Sequence, residues 1–110
     1  MVKGVRNWRE LPTGHGMALL TELLGRRWAV RVVWELRRGA LTFRALQKAC
    51  GGVSPSVLQS RLHELQRVGV IEKVPRMGYR LSASGESLYR TLEPLAEWAE
   101  ARDRPWRRAK

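Results

Sequence analysis

The sequence predicts a mainly α-helical fold with one small β-hairpin, arranged as a winged helix-turn-helix: a three-helix core, a wing, and flanking N- and C-terminal helices. Three observations carry this prediction. Apolar residues recur at three- and four-residue intervals in five segments separated by glycines. Two of those segments meet across Gly51-Gly52, and the second opens with Ser54-Pro55. Two short β-type runs follow directly, around Pro75-Arg76-Met77-Gly78.

Residues 1–14 hold Lys3, Arg6, Arg9, Trp8, Pro12 and Gly14 without long periodicity, and read as a basic arm. From His15 the pattern turns helical through Met17, Leu20, Leu23 and Leu24, until Gly25. A second helix is expected from about Trp28 to Arg38, with Trp28, Val32, Val33 and Leu36 on one stripe and Gly39 as its stop. Thr42 is placed to cap a third, because its hydroxyl can accept from an amide with no helical partner. Phe43, Leu46 and Ala49 or Cys50 form the stripe of that helix, which Gly51-Gly52 ends.

Ser54 then caps the fourth helix, and Pro55 at its first position loses nothing, since its missing N–H would have had no helical acceptor. At 100° per residue, Leu62, Leu65 and Gly69 fall within about 40° of Leu58 and face the core, with Val68 at the edge. Ser56, Ser60, His63 and Arg67 lie opposite, flanked by Gln59 and Arg61, so the outer face is polar but not acidic. After Gly69, Val70–Val74 and Tyr79–Ser82 read as the strands of a hairpin. A last helix from about Ser84 to Arg102 carries Leu88, Leu92, Leu95 and Trp98 or Ala99 on one side, with Pro94 placed to kink or interrupt it. Residues 103–110 read as a basic tail, leaving 15–102 as the folded domain.

The chain has 110 residues, 44% of them hydrophobic, which suits one modest domain that a partner subunit would help to stabilise. With 21 Lys and Arg against 10 Asp and Glu, its net charge of +11 attracts polyanions, nucleic acid foremost, although anionic membranes or a merely solvated surface would also suit it. There is no apolar run long enough to span a bilayer and no secretory leader pattern, and a lone cysteine suits a reducing compartment; the expectation is a cytoplasmic protein without membrane association. No nucleophile, base and acid form a recognisable catalytic set, no glycine-rich phosphate loop occurs, and His15 and His63 have no companions at metal-binding spacing. Neither an enzyme nor a cofactor or metal is expected.

Two helices across a short glycine turn, the second capped and polar outside, suit the DNA major groove, because a groove-binding face must avoid acids and offer hydrogen bonds. Ser56, Gln59, Ser60 and His63 are the candidate base readers, Gln being a natural bidentate partner of adenine. Arg44, Lys48, Arg61 and Arg67 suit phosphates, and the hairpin's Lys73, Arg76 and Arg80 could reach the minor groove or backbone.

The order of motifs resembles the HxlR-type winged helix-turn-helix regulators, bacterial transcription factors akin to the MarR type, from about residue 17 to 101. Leu24-Gly25-Arg26-Arg27-Trp28 is similar to that family's Gly-Gly-Lys-Trp lead-in to its second helix, and Leu41-Thr42-Phe43-Arg44-Ala45-Leu46 to its RFSEL block. Val53-Ser54-Pro55-Ser56-Val57-Leu58, with Arg61-Leu62-His63-Glu64-Leu65, resembles its ISPKVLSQRLREL recognition helix. Tyr79-Arg80-Leu81-Ser82-Ala83-Ser84-Gly85 resembles its YSLTEKG block. The resemblance implies a homodimer, joined through the first and last helices, on a near-palindromic operator, with Ser54, Ser56, Gln59, Ser60 and Arg61 in the DNA-facing role. Two features depart from it. The cysteine that family members often carry near the N-terminus is missing from LPTGHGMALL, and the wing is shorter, without a proline-rich tip, leaving Arg76 as its basic residue.

Cys50 is expected to be a partly buried thiol rather than a sensor, with Lys48 as its cationic neighbour in the sequence. Trp28 and Trp98 fall on apolar stripes, as core or dimer-interface residues. Trp34 lies off its stripe and suits either a pocket for a flat effector or, preferably, the last helix of a partner subunit; Trp28, Trp34, Leu92, Leu95 and Trp98 are together the candidate dimer interface or effector pocket. Trp8 and Trp106 lie in basic segments open to the domain, to DNA or to another chain. The expected function is a homodimeric, sequence-specific regulator that binds double-stranded DNA, with an unidentified small-molecule effector compatible with it. A nonspecific architectural DNA-binding protein and a protein-interaction winged helix are the alternatives.

Overall fold

The computed structural model describes the backbone of residues 14–109 and the side chains of 16–105. Its elements run α1 (Gly14–Leu24), α2 (Ala29–Glu35), α3 (Phe43–Cys50), α4 (Pro55–Arg67), β1 (Ile71–Val74), β2 (Gly78–Leu81) and α5 (Ala83–Ala109). This is the predicted mainly helical order with one antiparallel hairpin. The N-terminal arm with Trp8 and the side chains of His15 and Trp106 lie outside the described residues.

Local chemistry sets the helix ends. The Ala45 amide donates to Thr42 Oγ1 at 3.1 Å, and the Val57 amide to Ser54 Oγ at 3.2 Å, so both expected caps form. Gly51 ends α3 at φ 75°, a left-handed conformation that costs glycine little. Beyond α4, Val68 and Gly69 are exposed; the core stripe closes at Leu65, because the chain leaves the helix before Gly69 can face inward.

The core joins all of these elements. Val32 and Val33 of α2, Leu46 of α3 and Leu58, Leu62 and Leu65 of α4 are essentially sealed from solvent, with Ile71, Tyr79, Leu81 and Leu92 packed around them. Each of the α4 leucines contributes about 2 kcal/mol by this burial. Cys50 belongs to the same cluster. Burial pushes its thiol pKa up, a rise opposed by Arg31 and assisted by Glu35. The neighbouring cation comes from α2, where Arg31 also donates to the Ala49 carbonyl, rather than from Lys48 nearby in sequence.

Two helices differ from the sequence reading. α2 is shorter than Trp28–Arg38, because Trp28 precedes it in a left-handed conformation (φ 77°) and the chain turns after Glu35. α5 runs without interruption through Pro94 and Pro105 to Ala109, past the expected end at Arg102. Both prolines are exposed, so water can solvate the carbonyls that lose a helical donor. Residues 103–109, read from the sequence as a basic tail, thus continue the helix.

The wing is fastened by close backbone approach. β1 and β2 pair from Ile71↔Leu81 to Val74↔Gly78, and Leu41 adds one antiparallel bridge to Tyr79, with reciprocal bonds of 2.9 and 2.8 Å. Gly78, at φ 101°, lies against the Leu41 carbonyl and Thr42, and Gly85 lies against the Val70 carbonyl; neither leaves room for a Cβ. Ser82 connects the same region, donating toward the Gly69 and Val70 carbonyls while accepting from the Gly85 amide.

Gly78→Ala and Gly85→Ala should each lose about 2 kcal/mol or more in chemical denaturation, whereas Gly16→Ala, whose Cβ would meet nothing, should be neutral or stabilising by up to about 1 kcal/mol. Equal stability of all three variants would contradict this packing. Native Cys50 should react with an aromatic disulfide reagent at least about tenfold more slowly than the unfolded chain, and equal rates would show that the thiol is accessible.

Candidate nucleic-acid interface

The candidate surface begins at the α3–α4 turn. Gln47 donates through Nε2 to the Val53 carbonyl at 3.3 Å, and Trp28 reaches over the turn to within 4.0 Å of where a Gly52 Cβ would lie. Trp28 thereby supports the turn from inside its own chain. With Leu58, Leu62 and Leu65 facing inward, α4 presents Ser56, Gln59, Ser60 and His63 to solvent on one exposed face. Ser54 is also exposed, but its Oγ is occupied as a cap and lies 3.5 Å from Ser56 Oγ.

The candidate phosphate residues divide into two groups. Arg44, Lys48, Arg67 and Arg76 are exposed, and among the described residues none has an ion-pair partner. Arg61 is different: its side chain is 16% exposed and Nη1 bonds Glu64 Oε1 at 2.6 Å, while its buried Nε has no partner. The i,i+3 spacing of Arg61 and Glu64 was present in the sequence, and it draws the guanidinium along the helix rather than outward. Arg80 likewise bonds Glu72 across the hairpin at 2.6 Å. Lys73 lies exposed with Nζ 5.9 Å from the Tyr79 ring. Arg76 occupies the wing tip in a left-handed conformation, φ 67°.

The five residues grouped as interface or effector pocket do not form one surface. Leu92 is buried in the core and Trp28 is packed against it. Trp34 sits 5.6 Å from Tyr89 of its own α5, with Arg37 stacked 4.5 Å over its indole, so it covers the last helix of its own chain. Tyr89 was invisible as its partner because the two are distant in sequence. Leu95 and Trp98 remain exposed at 51% and 57%, as do Met17, Leu19 and Leu20 on α1. A cavity of about 360 Å³ lies elsewhere, among Leu19, Glu22, Leu23, Arg26, Ala29, Glu64, Leu65, Arg67 and Val68. No sequence signal marked it, because its walls come from α1, α2 and the end of α4.

Comparison with known proteins places this geometry. The HxlR-like helix-turn-helix family model matches residues 23–105. The chain is 31% identical over 84 residues to the uncharacterised HTH-type transcriptional regulator YvaP of Bacillus subtilis, covering 71% of this chain and 78% of that one. Quinone-bound YodB of B. subtilis superposes with a TM-score of 0.71 at 26% identity, covering 78% of this chain and 96% of YodB. A possible HxlR family transcriptional factor from Thermoplasma volcanium shares the fold, with a TM-score of 0.71 at 24% identity over 77% of this chain and 82% of its own. With its capped α4, its hairpin and this match over most of its length, the chain belongs to the HxlR-like helix-turn-helix family of transcriptional regulators and carries that family's DNA-binding fold.

Proposed function

We propose that the protein is a cytoplasmic, homodimeric regulator that reads a near-palindromic operator in double-stranded DNA. The observation that carries this reading is the outer face of α4, where exposed Ser56, Gln59, Ser60 and His63 form a hydrogen-bonding row without an acid, while Leu58, Leu62 and Leu65 anchor the opposite face. Such a face can enter a major groove without charge repulsion and offers donors and acceptors to base edges. Arg44, Lys48 and Arg67 would grip phosphates beside it, and Arg76 would meet the adjacent backbone or minor groove from the wing. Arg61 and Arg80 contribute less, since each must first leave a carboxylate.

The folded unit of this proposal is residues 15–102, with 1–14 as a basic arm and the basic stretch 103–109 carried on as the end of α5. Exposed Met17, Leu20, Leu95 and Trp98 supply the apolar surface for dimerisation. Two copies would set their recognition helices about one DNA turn, roughly 34 Å, apart. The cavity behind the end of α4 is the place from which a small molecule could reach the recognition helix. YodB has been captured with a quinone; in this chain the single cysteine, Cys50, is buried and is assigned no sensing role.

Selection of random duplexes on the purified protein should recover an inverted repeat preferred about a thousandfold or more over a scrambled control, with affinity falling steeply as salt rises. Equal binding to both duplexes would favour an architectural protein, and binding to neither would favour a protein-interaction winged helix. Gln59→Ala should reduce discrimination by about 1 to 3 kcal/mol, while Arg44→Ala should weaken all duplexes alike. In sedimentation, Trp98→Glu should shift the protein from dimer to monomer; a monomeric parent, or an unaffected dimer, would remove α5 from the interface.

A further inference from the structure

The wing tip combines strain with an apolar side chain held in water. Val74-Pro75-Arg76-Met77 is closed by the Met77 amide donating to the Val74 carbonyl at 3.0 Å. Pro75 fixes a negative φ at the first central position, and Arg76 at the second has φ 67°; the pair matches a type II turn, which ordinarily places glycine or asparagine there. An arginine in this conformation costs about 1 kcal/mol or more relative to glycine. Next to it, Met77 is 56% exposed, although Ile71, Tyr79 and Leu81 of the strands are buried. Arg76 adjoins Met77 and Lys73 is exposed on β1, while Arg80 on β2 is held by Glu72.

We propose that Met77 is a wedge that enters a base step in the minor groove and kinks the operator beneath the wing. This inference rests on the DNA-binding reading above. An exposed thioether on a hairpin that also exposes Arg76 and Lys73 is complementary to a partner that is anionic outside and apolar within, and the minor groove of duplex DNA has that character between its phosphates and its stacked bases. Methionine suits the role because its unbranched chain is slim and deformable. The rigid Pro75-Arg76 turn and the Leu41–Tyr79 bridge hold the tip against the body, so insertion would require little further ordering of the wing. Since unstacking is easiest at pyrimidine–purine steps, Met77 would add a preference for TA or CA steps at positions that α4 does not touch.

The test uses the full-length protein and the duplex recovered by selection, with 2-aminopurine placed at successive steps across the site, anisotropy reporting binding and end-to-end energy transfer reporting bending. Wild-type protein should raise emission about threefold at one step in each half-site and shorten the end-to-end distance. Met77→Ser should bind within a few-fold of wild type but lose both signals, and Met77→Leu should keep them. Binding without brightening at any step, or Met77→Ser behaving as wild type, would overturn the wedge while leaving the DNA reading intact. Failure of the wild type to bind any duplex would overturn both.

Discussion

Two backbone approaches, Gly78 against Leu41-Thr42 and Gly85 against the Val70 carbonyl, fix where the wing and the last helix stand relative to the helix-turn-helix. At Gly78 the hairpin lies so close to the start of α3 that Leu41 pairs with Tyr79 as a one-residue third strand. At Gly85 the first turn of α5 rests on the chain just leaving α4, and Ser82 binds carbonyls of Gly69 and Val70 from the same place. These contacts are short and directional, so they constrain orientation more tightly than apolar packing alone. Fixing the spacing of a helix and a wing before binding lowers the ordering cost of engaging one partner with both.

Electrostatics then differentiates a surface that composition describes only as basic. Arg61–Glu64 and Arg80–Glu72 satisfy two of the cations locally, and pairs of this exposure are worth at most about 1 kcal/mol to stability. Their larger consequence is geometric, because they withdraw positive charge from some positions and leave Arg44, Lys48, Arg67 and Arg76 projecting. These four cations fall on α3, on the end of α4 and at the wing tip, beside the uncharged row of α4. In the proposed reading, such charge would hold the register on DNA and the row between would supply the discrimination.

The tryptophans show how one residue type is given different tasks by tertiary contacts. Trp28, in a strained left-handed conformation before α2, covers the turn between α3 and α4. Trp34 ties α2 to α5 through Tyr89 and is itself capped by Arg37. Trp98 lies beyond the packed part of α5, where Arg102 stacks over it at 4.5 Å and most of the indole faces solvent.

The sequence by itself determined the element order, the caps at Thr42 and Ser54, the stop at Gly51 and the inward leucines of α4, because each depends on residues within a turn or two of one another. The polar face of α4 was legible for the same reason: placing the leucines inward leaves the serines, Gln59 and His63 outside. Only the tertiary structure decided which tryptophan meets which helix, that Leu92 is core while Leu95 is surface, and that Cys50 is neighboured by Arg31. It also decided that Pro94 leaves α5 unbroken and that a cavity opens behind α4. Those outcomes rest on contacts between elements far apart in the chain, and the periodicity of one helix carries no information about what will pack against it.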